Sequence, residues 1–264
     1  MKILLLSILL FFTQPAFADF AKGLDAYFKG DFATTFKEWQ PLAEQGDADA
    51  QFNLGLMYNN GQGVTQDHKT AVKYYTLAAE QGIAKAQFNL GNMYDNGQGV
   101  TQDYKTAVKY YTLAADQGHA AAQNNLGVMY ENGLGVTQDY KTAVKYYTLA
   151  AEQGHAMAQY NLGYMYKNGQ GVTQDYKTAV KYYTLAAEQG DASAQLNLGA
   201  MYDDGQGVIQ NFARALMWWN IAASKGNEGA VENRDKVAKR MTASQLEKAQ
   251  MLASECVAKD YKGC

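Results

Sequence analysis

The sequence predicts an all-α fold, an α-solenoid of stacked helix–loop–helix hairpins. Three observations carry this. A 36-residue string beginning at Ala50 (AQFNLGLMYNNGQGVTQDHKTAVKYYTLAAEQGIAK) returns almost verbatim at Ala86, Ala122 and Ala158, returns more weakly at Ala194, and dissolves after Ala230. Self-similarity at a fixed period of this length marks an array of supersecondary units. Within each string, apolar residues recur at helical spacing on both sides of a glycine-rich break. The composition agrees: two prolines and 25 glycines in 264 residues describe helices with glycine stops in one elongated domain.

The chain opens with Lys2, an apolar run from Ile3 to Phe12, and Ala16-Phe17-Ala18. A basic start, a short apolar stretch and an A-x-A end describe a secretory signal peptide. Cleavage is expected after Ala18, leaving Asp19 as the mature N-terminus, a periplasmic or secreted protein, and no transmembrane anchor. Residues 19–46 then read as a degenerate hairpin, Phe20–Lys29 and Asp31–Gln45, broken at Gly30-Asp31 and stopped at Gly46.

The repeats occupy residues 47–226. In the first, Asp47 is a good N-cap. Ala50, Leu54, Met57 and Tyr58 fall on one helix face. Gly61 is free to take the left-handed conformation that ends the helix. The stretch Gln62–Gln66 is too polar and glycine-rich to continue it. Asp67 caps a second helix whose apolar face is Ala71, Tyr74 or Tyr75, and Ala78, and Gly82 closes the unit. Gly55 and Ala71 are small where the two helices approach. One such hairpin cannot bury its apolar face alone, whereas stacked neighbours share a continuous core.

Residues 227–264 read as capping helices: a polar helix over Asn227–Arg240, then a capping box, Thr242-Ala-Ser-Gln245, opening a last helix to about Ala258. Polar terminal units keep an array soluble. Cys256 and Cys264 are the two cysteines of the chain. An exported chain can keep them as a disulfide stapling the tail. A metal site would need further ligands, and no histidine is close.

The string L-G-x-M-Y-x-x-G-x-G-V-x-x-D-x-x-x-A-x-x-Y-Y-x-x-A-A-x-x-G, read five times from Ala50 to about Gly226, resembles the Sel-one-like repeat (SLR), a relative of the tetratricopeptide repeat. The resemblance implies a right-handed superhelix of antiparallel helix pairs and a role in assembling other proteins, often in envelope or membrane-associated work.

The repeats differ from one another in a pattern. Across the first four repeats the second helix and the loop hardly change, while the first helix varies at four positions spaced i, i+3, i+7 and i+10: Asp49, Phe52, Leu56 and Asn59 in the first unit, and their equivalents onward. At about 100° per residue these positions lie within roughly 80°, about opposite the core face. By the resemblance, this stripe lines a concave groove. Unconstrained drift would leave mostly polar residues there. Instead it carries Phe52, Leu56, Phe88, Val128, Tyr160, Tyr164 and Leu196, with Asn92 and Asn124 between them. Contiguous exposed apolar residues mark interaction sites, and aromatics make good anchors. Beside the stripe, Asn53, Asn89, Asn125, Asn161 and Asn197 stay fixed. An amide donates and accepts together, which suits clamping a peptide backbone. A structural bond between adjacent hairpins is the equal alternative.

Catalytic patterns are sparse. His119 and His155 stand where a first helix begins, and Asp47, Ile83 and Asp191 fill that place elsewhere. A position that accepts aspartate, histidine or isoleucine belongs to a cap, not a metal site. No H-E-x-x-H, G-x-S-x-G or S-x-x-K occurs. The loop G-x-G lacks a preceding strand and reads as a turn. With a net charge of −3 and no basic run, nucleic acid is not an expected partner. The expectation is therefore a non-enzymatic interaction module, without cofactor or metal, holding another protein or peptide in the groove. The alternative is a secreted hydrolase of β-lactams or cell-wall peptides, as described for some cysteine-rich relatives, which carry cysteine pairs within their repeats; this chain has none there.

Overall fold

The structure, a computed structural model, describes residues 19–264. The expected leader and its cleavage site involve residues 1–18, outside the described residues. Among the described residues there are fourteen helices and no strand. They fall into two compact units, one ending at Ala86 and the other spanning Gln87–Cys264.

The first unit holds α1 (Phe20–Phe28), α2 (Phe32–Glu44), α3 (Ala48–Asn60) and α4 (His68–Glu80). Asp19, Asp31, Asp47 and Asp67 each accept backbone N–H bonds at the helix start they precede. These side chains satisfy donors that a helix N-terminus leaves unpaired. Trp39, Ala43, Ala50, Leu54 and Met57 form the core, so α3 packs against α2 of the preceding hairpin.

The second unit is built from α5 (Ala84–Asn96), α6 (Tyr104–Asp116), α7 (Ala120–Asn132), α8 (Tyr140–Glu152), α9 (Ala156–Asn168), α10 (Tyr176–Ala187), α11 (Ala192–Asp204), α12 (Phe212–Ser224), α13 (Glu228–Ala238) and α14 (Ala243–Ala258). Its core clusters repeat. Ala107, Tyr111 and Ala114 of α6 enclose Ala122, Leu126 and Met129 of α7. Ala143, Tyr147 and Ala150 of α8 do the same with Ala158, Leu162 and Met165 of α9. Thus α7, α9 and α11 bury their apolar faces against the second helix of the hairpin before them. Full burial of a leucine or methionine contributes about 1.5–3 kcal/mol, and stacking on the neighbouring repeat supplies part of that burial. This is the stacked α-solenoid arrangement.

Two polar devices hold the stack. A glutamine near each second helix's end donates to the buried glutamine of its own first helix: Gln117 to Gln87 (2.8 Å), Gln153 to Gln123 (2.7 Å) and Gln189 to Gln159 (2.7 Å). The recipients Gln123 and Gln159 donate in turn to Ala115 and Ala151 carbonyls of the preceding hairpin. The loops carrying Gly135, Gly171 and Gly207 also press on the hairpin before them. A Cβ on Gly171, whose φ is +70°, would lie 2.3 Å from the Tyr140 carbonyl oxygen. Only glycine meets both demands there.

The fifth repeat departs from this pattern. Lys225 stands in the glutamine's place, donates to the Gly190 carbonyl (2.8 Å) and lies over the Tyr261 ring. Cys256 and Cys264 are disulfide-bonded with Cα atoms 5.5 Å apart. The closed tail is pinned further by Gly263 N–H donating to Glu188 (2.9 Å). The capping box of α14 is present, with Thr242 and Gln245 bonding reciprocally.

Candidate interaction groove

The variable stripe runs along α3 in the first unit and along α5, α7, α9 and α11 in the second. Its side chains are mostly half-buried, not standing clear as the angular argument suggested. The reason is the aromatic residue beneath. The second tyrosine of each Tyr-Tyr pair sits under its own first helix, and the stripe's aromatics lean on it: Phe52 on Tyr75, Phe88 on Tyr111 and Tyr160 on Tyr183, with ring centroids about 6 Å apart. Phe88 also stacks on His119 at 4.7 Å. Leu196 and Ala200 pack with Trp219, which holds the tyrosine's place in the fifth repeat. Val128 packs into the α8–α9 cluster, and Leu56 is half-buried. Two large apolar stripe side chains stay open: Tyr164 is 40% exposed and Met157 49%.

The buried tyrosines need acceptors, and the stripe supplies them. The Tyr111 hydroxyl donates to Asn92 (2.7 Å) and Asp95 (3.1 Å). Tyr147 donates to Glu131. Burial, then the adjacent carboxylate, pushes both hydroxyls above the ordinary tyrosine range. Burial likewise raises the Asp95 carboxyl, partly offset by the bond from Tyr111. Tyr183 is as buried, yet its hydroxyl has no partner. These tyrosines are chemically central, and the sequence reading treated them only as core.

Three of the fixed asparagines, Asn125, Asn161 and Asn197, bond to the repeat before their own. Asn125 donates to Asn92 (3.2 Å) and Asn161 to Asn124 (3.1 Å), each bond reaching back one repeat. Asn124 itself is 6% exposed. Asn197 accepts from Lys167 (3.4 Å) and donates to the Ser193 carbonyl. Asn53 and Asn89 are half-buried beside their stripes. A role between hairpins therefore has direct geometric support at Asn125 and Asn161.

His119 and His155 cap α7 and α9 by accepting the Ala122 and Ala158 N–H bonds through Nδ1. Burial holds the His155 pKa below the usual histidine value. The unfolded chain then binds a proton before the folded one does, so this site's contribution is complete above about pH 6.5 and is lost as pH falls below it. The melting temperature should drop between pH 7.5 and 5.5. His155→Asp, which installs the cap used at Asp47 and Asp191, should shrink that drop by about 1–2 °C for a half-buried site in a unit this long. Thermal melts across this range decide it: an unchanged pH slope removes His155 from the account.

Among the described residues, no group of three or more histidine, cysteine or acidic side chains converges as a metal site would. No described helix is long and apolar enough to cross a membrane.

Residues 48–83, 84–119, 120–155, 156–191 and 192–227 each match the Sel1 repeat. A protective antigen of uropathogenic Escherichia coli strains, which displays an SLR fold, is 35% identical with a TM-score of 0.81; the match covers 92% of this chain and 54% of that one. The chain thus spans about half the length of that protein. A Sel1 repeat protein from Oxalobacter formigenes is 34% identical with a TM-score of 0.79, over 91% of this chain and 100% of that one. No curated protein matches significantly.

Proposed function

The chain belongs to the Sel1 repeat family, whose members are generally protein-interaction scaffolds, and from that premise we propose that it is an exported, non-enzymatic scaffold that binds a protein or peptide along its first helices. The observation that carries this reading is that variation among the first four repeats concentrates on one stripe of the first helix, where Met157 and Tyr164 stay open to solvent. An open aromatic and an open methionine about two helical turns apart on α9 offer a partner area without a cavity having to form. The half-buried Phe88, Tyr160 and Leu196 form the floor on which such a partner rests. Export rests on the leader-like segment ending at Ala18 and is consistent with a disulfide in the tail.

Replacing the two open residues, Met157→Ser with Tyr164→Ser, spares the floor. Capture of the partner from envelope extract should fall at least tenfold, the size expected when two central contacts of about 1 kcal/mol each are removed. Equal capture by a variant with unchanged helicity contradicts the groove assignment.

A further inference from the structure

In the second and third repeats the buried tyrosine donates to a carboxylate of its own first helix, Asp95 or Glu131. One period further on, that place is held by Lys167 and the tyrosine is Tyr183. A donor thus replaces the acceptor. The Tyr183 hydroxyl is left fully buried and unpartnered, with Tyr160 and Tyr164 beside it. A buried hydroxyl without an acceptor is costly and rare. Lys167 turns to Asn197 through a long bond of 3.4 Å. Lys167 therefore offers Tyr183 no acceptor, and Tyr164, one of the open stripe residues, lies beside that hydroxyl.

Nearby carboxylates are committed elsewhere. Glu131 takes the Tyr147 hydroxyl, Asp191 caps α11 and Asp203 pairs with Arg240. None of these three carboxylates serves Tyr183.

We propose that the fourth repeat is a carboxylate-receiving subsite of the groove: a partner's carboxylate takes the place Asp95 and Glu131 fill elsewhere, accepting from Tyr183 and Lys167. Tyr164 rotates to admit it, and an apolar neighbour in the partner packs on Tyr164 and Met157. The inference rests on the groove reading above and gives its occupant a chemistry: a peptide segment carrying an acidic side chain or a free C-terminus, next to an apolar residue. Charge-assisted bonds of this kind are about twice as strong as neutral ones.

The test uses mature protein on an array of decapeptides with a randomised apolar flank. Each is made in three versions: internal glutamate with an amidated end, internal glutamine with an amidated end, and internal glutamine with a free end. The unmodified protein should bind the first or the third at least tenfold more tightly than the second, and which of the two wins names the carboxylate's source. Lys167→Glu supplies an internal acceptor as Glu131 does. It should abolish that preference and raise the melting temperature, so failure to fold does not mimic the result. Tyr183→Phe should weaken binding severalfold without lowering stability, whereas Tyr147→Phe should lower stability. Equal binding of all three versions, no binding of any, or an unaltered preference in Lys167→Glu overturns the subsite. If Met157→Ser with Tyr164→Ser removes binding while Lys167→Glu does not, the groove stands and the subsite falls. If neither change alters binding, both fall.

Discussion

Gly127→Ala is expected to destabilise the second unit by about 1–3 kcal/mol, lowering its melting temperature by several degrees. On helix propensity alone the sign would be opposite, since alanine is favoured over glycine inside a helix by roughly 1 kcal/mol. Packing decides it. A Cβ on Gly127 would lie 2.6 Å from two ring carbons of Tyr147. That ring cannot yield: it is fully buried among Ala158, Leu162 and Met165, and its hydroxyl is tied to Glu131. Gly55, Gly91, Gly163 and Gly199 meet the ring below them in the same way. Gly229, inside α13, is the control, because nothing lies closer than 3.4 Å to its Cβ position. There alanine should be neutral or stabilising by up to about 1 kcal/mol. Thermal or urea melts should show Gly127→Ala lowered and Gly229→Ala unchanged or raised. A Gly127→Ala protein as stable as the parent would mean that the close contact of helix and ring does not lock the hairpin.

Trp39→Ala is expected to cost about 3–5 kcal/mol, in line with loss of a buried large aromatic. Trp39 is 1% exposed, stacks between Phe20 and Tyr27, and donates from Nε1 to the Phe20 carbonyl (3.2 Å). It takes the part that tyrosine plays in the repeats, with Gly23 as its glycine. Trp219 does likewise on Gly199, donating to the Leu196 carbonyl (3.0 Å). Units near the ends of an array have fewer neighbours to lean on, and the larger ring buries more area within one hairpin. Hydrogen exchange should show α1 and α2 losing protection in Trp39→Ala while α7 to α9 keep theirs. Retained protection across α1 would refute this role for the tryptophan.

Much of this architecture was legible in the residues because its signals are local. Aspartate before a helix, glycine after it and the Thr242–Gln245 capping box mark ends through bonds formed within four residues. Gly55 was readable as a close approach because small residues in a helix face have few other uses. The stripe's surroundings were not legible in the same way. Periodicity gives a residue's angle about its own helix axis; it does not say how far a neighbouring ring reaches around that axis. Phe88 therefore looked open in sequence, yet rests on Tyr111 and His119. The choice between Tyr74 and Tyr75 was undecidable for the same reason: both fall near the helix interface, and only packing put Tyr75 beneath Gly55 and stacked Tyr74 on Tyr58. The asparagines' bonds across repeats depend on stacking register, which no single repeat encodes. A signal was available for the buried hydroxyls. Aligning the repeats sets Asp95 and Glu131 against Lys167 while the tyrosine below stays constant, and such a charge reversal above an invariant hydroxyl is what isolates the fourth repeat.

The central claim, that a partner lies along the first helices, is tested most directly by crosslinking from within the groove. A photoreactive phenylalanine analogue at Tyr164 reports that face, and the same analogue at Lys145, exposed on α8, reports another. Exposure of both proteins to envelope extract under illumination should give a discrete adduct from position 164 and none from 145. An adduct from 145 alone, or equal adducts from both, would contradict binding in the groove.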